Sequence, residues 1–212
     1  MKKLLTVGDS FTYGDELEDP LQAWPYILGR CIDYEVTNQG RSGSSNTSIL
    51  GRTINELTVN NYDLVVVGWS TPGRIEWKDE TGNYDIWPGF STDRPMFKHH
   101  PYRLELLNFI NQHHSPQYLY EQYLLQVISL QSFFQAHNIE YRMLNIDNDN
   151  YYKQAVQDQY TQLSNLIDSD KFIGWNQEGM VQMAAGELAQ FGHINVLGHQ
   201  RVAEKIYEHI RH

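Results

Sequence analysis

A serine near the start of the chain and a histidine near its end are the residues best suited to chemistry. Ser10 follows a short apolar run, in the heptapeptide Gly-Asp-Ser-Phe-Thr-Tyr-Gly at residues 8–14. A hydroxyl on a tight turn becomes a nucleophile when a neighbouring base takes its proton, although a serine in such a place can also be a helix cap. His193 and His199 are the candidate bases. We favour His193, because His199 lies in the first turn of a predicted helix, where it can bond to backbone.

Acyl transfer also needs hydrogen-bond donors that stabilise an oxyanion, and two further turns contain them. Gly40 and Gly43 lie in one turn, and their N–H groups can face a site because no Cβ stands in the way. Ser70 follows another apolar run and offers a hydroxyl, with Asn46 as a helper. Together with Ser10, these residues are typical of ester cleavage.

The candidate residues lie at the ends of predicted strands. Apolar and β-branched runs predict strands at 3–7, 35–38, 63–68 and 140–146. Helical spacing predicts helices at about 20–32, 46–57, 103–113, 116–137, 152–167 and 196–210. This alternation predicts an α/β fold with a mostly parallel sheet and helices on both faces. Ligands of such sheets bind beyond the carboxyl ends of the strands, where Ser10, Gly43 and Ser70 are expected.

Residues 69–102 lack a regular pattern and are rich in proline, glycine and tryptophan. A loop this long inside a domain is usually functional, so we predict a long aromatic loop insertion there. Its tryptophans either pack the loop against the domain or form a stacking wall for sugars and acyl chains; they are Trp69, Trp77 and Trp87. Arg74 either binds an acidic group of a substrate or forms a salt bridge with Glu76 or Asp79.

The composition argues against several classes of partner. A formal net charge of −10 over 212 residues disfavours nucleic acid and anionic lipid surfaces. No histidine has the spacing of a metal site, so we predict neither a metal nor a cofactor. The apolar start is too short for a signal peptide and no segment has the length of a membrane span, which predicts a cytoplasmic protein or one not exported by the classical route. Cys31, the single cysteine, is expected to be a buried thiol.

Four segments resemble the GDSL or SGNH hydrolases, in the order that this family has them. They are the heptapeptide at 8–14, Asn-Gln-Gly-Arg-Ser-Gly at 38–43, the turn at 68–70 and His-Ile-Asn at 193–195. The resemblance implies a three-layer α/β/α flavodoxin-like fold with a mostly parallel five-stranded sheet, in one domain over residues 1–212. It also implies Ser10 as the nucleophile, His193 as the base and Gly43 as an oxyanion donor.

Two positions depart from the pattern of that family. Ser70 stands where the family has an asparagine that donates to the oxyanion. Gln190 stands where the family has an aspartate, three residues before the base. A neutral amide can orient an imidazole but cannot stabilise its protonated form as a carboxylate does. The orienting group is therefore Gln190 or one of three substitutes, namely Glu187, Asp147 or a backbone carbonyl.

These features predict a cofactor-free serine esterase that forms an acyl-enzyme on Ser10. The expected substrate is a small short-chain or acetyl ester, with carbohydrate-linked acetyl groups as one option. Two alternatives stay open: a non-catalytic ligand-binding domain on the same fold, and an acyltransferase. The departures at Ser70 and Gln190 motivate the first alternative, and exclusion of water from the site would produce the second.

Overall fold

Four parallel strands form the main sheet of the computed structural model, which describes residues 1–80, 82–86, 101–148 and 161–211. These strands are β1 (Lys2–Gly8), β2 (Tyr34–Gly40), β3 (Leu64–Trp69) and β6 (Tyr141–Asn145), and two others, β4 (Ile75–Asp79) and β5 (Gly82–Ile86), lie outside it. The spatial order is β2-β1-β3-β6. All six residues of β3 are buried, as expected for a central strand that is covered on both faces.

The helices flank this sheet. They are α1 (Ser10–Tyr13), α2 (Trp24–Ile32), α3 (Asn46–Val59), α4 (Pro101–His113), α5 (Pro116–Ala136), α6 (Thr161–Ser164), α7 (Met180–Met183) and α8 (Val196–Arg211). Alternate residues of β3 face two separate cores because side chains of a strand alternate between its faces. Val65 packs with residues of α5, including Phe134, and Val66 packs with residues of α2 and α8, including Trp24 and Ile206. This arrangement confirms the predicted α/β class.

A fifth position of the sheet is occupied by a single residue. Phe172 forms a parallel bridge with Met143 on the free edge of β6. The Met143 N–H donates to the Lys171 carbonyl at 2.9 Å, and the Ile173 N–H donates to the Met143 carbonyl at 2.8 Å. The predicted five-stranded sheet therefore has four full strands and a one-residue fifth.

The segment predicted as a long loop, residues 69–102, contains an antiparallel hairpin of β4 and β5. Residues 75–79 and 82–86 are thus strands, where the sequence predicts irregular structure. Residues 87–100 lie outside the described residues, and so does the prediction for Trp87. Of the helix predicted at 152–167, residues 152–160 also lie outside the described residues. Within the remainder, the structure has the short helix α6.

Cys31 is exposed in the last turn of α2, which corrects the expectation of a buried thiol. The buried residues of this helix lie mainly in its first two turns, as with Trp24 and Leu28. Among the helices described, none combines the length and the apolar character that crossing a bilayer requires.

Candidate active site

Ser10 is the first residue of α1, directly beyond the carboxyl end of β1. Asp9 is the N-cap of this helix, and its carboxylate accepts the N–H of Phe11 at 3.0 Å. Gly8 leaves space that the turn requires, because a Cβ there would lie 2.1 Å from Oγ1 of Thr12. Ser10 itself is 3% exposed. The sequence thus forms a tight strand-to-helix turn with the hydroxyl at its start.

The turn after β2 packs against this nucleophile turn. The Asn38 amide donates to the carbonyl of Thr12 at 2.9 Å and accepts the N–H of Gly40 at 2.9 Å. A Cβ on Gly40 would lie 2.4 Å from the backbone nitrogen of Tyr13, so only glycine permits this approach. Gly43 has a φ of +77° and no atom near the position of a Cβ. The space beside its Cα is therefore open, and the role of Gly43 as an oxyanion donor stays a prediction.

The hydroxyl of Ser70 donates to Asp9 rather than facing outward. Its Oγ lies 2.9 Å from Oδ2 of Asp9, and Nη1 of Arg74 lies 3.1 Å from the same oxygen. Burial raises the pKa of Asp9, while Arg74 and the hydrogen bonds from Ser70 and Phe11 act to lower it. Ser70 and Arg74 therefore stabilise a buried carboxylate. The hydroxyl of Ser70, predicted to be an oxyanion donor, is thus bound within the protein, and Arg74 forms a salt bridge with Asp9. The role of Arg74 as a substrate ligand stays a prediction.

Asn46 has a positioning role as well. Its Oδ1 accepts the N–H of Ser70 at 2.8 Å, and its Nδ2 donates to the carbonyls of Ser70 and Thr71 at 3.0 and 3.4 Å. Both ends of the amide are thereby bound to the backbone after β3. Asn46 holds the Ser70 turn in place, and the prediction that it assists an oxyanion is corrected accordingly.

His193 lies over the nucleophile turn. Its ring centroid is 5.4 Å from that of Phe11, the neighbour of Ser10, and its side chain is 25% exposed. Nδ1 of this imidazole lies 2.8 Å from Oε2 of Glu16, and Nε2 lies 3.8 Å from Oδ2 of Asp15. Among the described residues, no hydrogen bond joins His193 to Ser10.

Glu16 also binds the backbone of the loop that bears His193. It accepts the N–H of Phe191 at 2.8 Å on Oε1 and the N–H of His193 at 3.1 Å on Oε2. Burial raises the pKa of Glu16, but the hydrogen bonds from Phe191 and His193 outweigh it, and the net pKa is lowered. The carboxylate is therefore ionised where it meets the imidazole.

The orienting groups suggested by the sequence are engaged elsewhere. Gln190 is exposed, and the Nδ1 of His193 is bonded to Glu16 instead. Glu187 accepts from Asn195 at 3.0 Å, and Asp147 accepts from Gln182 at 2.5 Å. The prediction for Gln190 is thus corrected. No local sequence signal indicates Glu16, since it lies 177 positions before His193 and is brought there by the tertiary fold.

His199 lies inside the protein and bonds to the backbone of another helix, α2. It is fully buried, and its Nδ1 accepts the N–H of Trp24 at 3.1 Å. Burial, with a smaller contribution from the charge of His193, lowers the pKa of His199 to about 4. Trp69 is also fully buried, with its ring against Tyr123 at 6.3 Å, whereas Trp77 is 42% exposed. Packing thus accounts for the first of these tryptophans.

Several solved structures share this fold. One is TesA, with a TM-score of 0.63 and 16% sequence identity, over 99% of this chain and 98% of that one. Another is a member of the lipolytic protein G-D-S-L family from Veillonella parvula DSM 2008, with a TM-score of 0.53 and 16% identity, over 98% of this chain and 97% of that one. A third is the acetyl xylan esterase AlAXEase, with a TM-score of 0.53 and 13% identity, over 97% of this chain and 98% of that one. The fold is that of the GDSL or SGNH hydrolases.

The chain belongs to a family of unknown function, DUF6071, whose model matches residues 14–212. The matched region begins just after Ser10 and includes Glu16 and His193. No curated protein matches the chain by sequence.

Proposed function

We propose that the protein is a serine esterase in which Ser10 is the nucleophile and His193 the base. One observation carries this proposal: the imidazole of His193 lies over the turn of Ser10, with its ring 5.4 Å from that of Phe11. Acyl transfer needs a serine hydroxyl with a histidine base nearby, and this turn and imidazole supply both groups. Catalytic hydrogen bonds in free enzymes are often long and tighten only when substrate binds, so the proposal does not require a bond between His193 and Ser10 in the free protein.

The reaction proceeds through an acyl-enzyme. Oγ of Ser10 attacks the ester carbonyl carbon while Nε2 of His193 takes its proton. The tetrahedral intermediate then breaks its bond to the alcohol oxygen, which receives that proton and leaves. Water attacks the remaining ester on Ser10, again giving its proton to His193, and the acid departs as the serine is restored.

Backbone groups are the oxyanion donors in this proposal. The Ser70 hydroxyl and the Asn46 amide are bound within the protein, which leaves the N–H groups of Ser10 and Gly43 for this task. Ser10 is the first residue of α1, where N–H groups have no partner within the helix. Loss of one oxyanion donor costs about 10²–10³-fold in rate, so a two-donor site is expected to be slower than one with an added amide.

We propose small, neutral esters as the substrate class. Asp15 and Glu16 flank the imidazole, and the net charge of the chain is −10, which disfavours an anionic acid or alcohol group nearby. One structural neighbour is an acetyl xylan esterase, and acetyl groups on carbohydrate hydroxyls are neutral and short. An acetyl or short-chain ester is therefore the first substrate to test.

Hydrolysis of p-nitrophenyl acetate by purified Ser10→Ala protein tests the proposal. We expect kcat/KM to fall by at least about 10³-fold, because the acyl-enzyme cannot form. Ser129→Ala is the matched control, since Ser129 is exposed on α5 and its hydroxyl bonds only to the carbonyl of Leu125 there. Unchanged hydrolysis by the Ser10 variant would refute the proposal.

A non-catalytic binding domain is the second candidate. It is favoured by the Ser70 hydroxyl, which is committed to Asp9, and by the described contacts of His193, which do not include Ser10. This candidate predicts that the parent protein hydrolyses no p-nitrophenyl ester above the background of the Ser10→Ala variant. The same assay therefore decides between the two.

A further inference from the structure

We infer that Glu16 is the carboxylate that positions His193, supplied by the loop of the nucleophile rather than by the loop of the base. The inference rests on the proposed function and concerns the same site. In the family that the sequence resembles, an aspartate three residues before the histidine orients the imidazole. This chain has Gln190 at that position, and we assign the orienting role to Glu16.

The first line of support is the geometry of the imidazole. Nδ1 of His193 lies 2.8 Å from Oε2 of Glu16, which fixes the proton of the neutral ring on Nδ1. Nε2 then carries the lone pair, and this is the nitrogen that must accept the proton of Ser10. A carboxylate on Nδ1 both selects this tautomer and stabilises the imidazolium that forms during attack.

The second line of support is that Glu16 fixes the backbone of the histidine loop as well as its ring. Its two oxygens accept the N–H groups of Phe191 and His193 at 2.8 and 3.1 Å. One side chain therefore sets the position of the loop and the direction of the imidazole together. Glu16 lies at the surface, yet only 16% of its side chain is exposed, so these bonds are partly shielded from water.

The third line of support is the backbone of Glu16. It has a φ of +69°, the left-handed region that non-glycine residues rarely occupy. A side chain in this region strains the backbone, and such strain persists only where the surrounding structure holds it in place. A glycine at this position would relieve the strain but would lose the three hydrogen bonds. The chain therefore has a glutamate at a position where the backbone conformation alone would favour glycine.

Asp15 does not substitute for Glu16. Its carboxylate lies 3.8 Å from Nε2 of His193, beyond hydrogen-bond distance, and it accepts the hydroxyl of Ser42 at 2.5 Å. It faces the nitrogen that must be free for Ser10. The other charged or titratable groups that act on His193 are Asp9 and His199, and the described contacts of neither include its ring.

The test compares Glu16→Gln, Glu16→Asp and Glu18→Gln with the parent in p-nitrophenyl acetate hydrolysis across pH. Glu18→Gln makes the same charge change at an exposed position two residues away. We expect Glu16→Gln to lower kcat by about 10²–10⁴-fold with little change in KM, since an amide cannot stabilise the imidazolium. The acid limb of its kcat/KM profile should move to lower pH. Glu16→Asp should recover part of the rate, and Glu18→Gln should behave as the parent.

Two results would overturn the inference. One is full activity in Glu16→Gln. The other is a loss of activity with an unmoved acid limb and no recovery in Glu16→Asp, because this pattern indicates only a loosened loop. Ser10→Ala separates this inference from the proposed function: if it is inactive while Glu16→Gln is fully active, the esterase stands and only the role of Glu16 falls.

Discussion

His193 and His199 lie six positions apart but have opposite surroundings. His193 is partly exposed, and its Nδ1 lies 2.8 Å from a carboxylate oxygen of Glu16. His199 is fully buried, and its Nε2 is a buried ring nitrogen without a partner among the described residues. A base must accept a proton during the reaction, and burial makes this costly at His199. The environments of the two rings therefore support the proposal of His193 rather than His199 as the base.

The low pKa of His199 predicts a pH-dependent stability. Its folded pKa of about 4 lies below the unfolded value of about 6.5, so the unfolded chain binds the proton more tightly. The contribution of the neutral ring is complete above pH 6.5 and is lost as the pH falls toward 4, to a total of about 3 kcal/mol. His199→Asn retains an acceptor for the Trp24 N–H, but the asparagine side chain does not bind a proton in this pH range. Urea unfolding at several pH values should show a flatter dependence in this variant, and an identical slope would contradict the account.

At the scale of elements, the site depends on the close approach of α1 to the end of β2. Gly40 allows this approach, and the Asn38 amide fixes it through Thr12. Arg52 of α3 adds a further hydrogen bond, since its guanidinium donates to the carbonyl of Gly8 at 2.9 Å. Ser10 is thus positioned by neighbouring elements, because α1 has only four residues.

Two glycine substitutions test this dependence. In Gly40→Ala the new Cβ meets backbone of α1 at 2.4–2.7 Å, so α1 must shift. We expect a loss of about 1–3 kcal/mol in the free energy of unfolding and reduced ester hydrolysis. Gly51→Ala, in the middle of α3, meets nothing within 4 Å and should stabilise by up to about 1 kcal/mol. Thermal unfolding measures both, and a Gly40 variant as stable as the parent would show that the turn can adapt.

The central strand β3 could be predicted because burial on both faces requires a continuous apolar sequence, as at 63–68. The hairpin of β4 and β5 was missed because its turn residues and broken apolar pattern resemble a loop. The turn that bears Ser10 was predicted from one contiguous segment, residues 8–14. Glu16 could not be predicted, because its role depends on the meeting of two distant loops. The hydroxyl of Ser70 likewise could be assigned only once its partner Asp9 was known.

At the scale of the whole molecule, the parallel sheet brings separate parts of the chain to one edge. The loops after β1, β2 and β3 meet there, and the loop before α8 adds His193 from the other end of the chain. The fold of the GDSL or SGNH hydrolases thus supplies the position, and individual side chains supply the chemistry. The model of the DUF6071 family covers 14–212, which includes both partners of the Glu16–His193 bond.

The most direct test of the central claim is the site of covalent labelling by a fluorophosphonate. Mass spectrometry of the intact protein and of its peptides would count and locate the adduct. The account predicts one adduct per chain, on Ser10, lost in Ser10→Ala and formed much more slowly in His193→Ala, since attack needs an activated hydroxyl. No adduct, or an adduct on another residue, would contradict the assignment of Ser10 as the nucleophile.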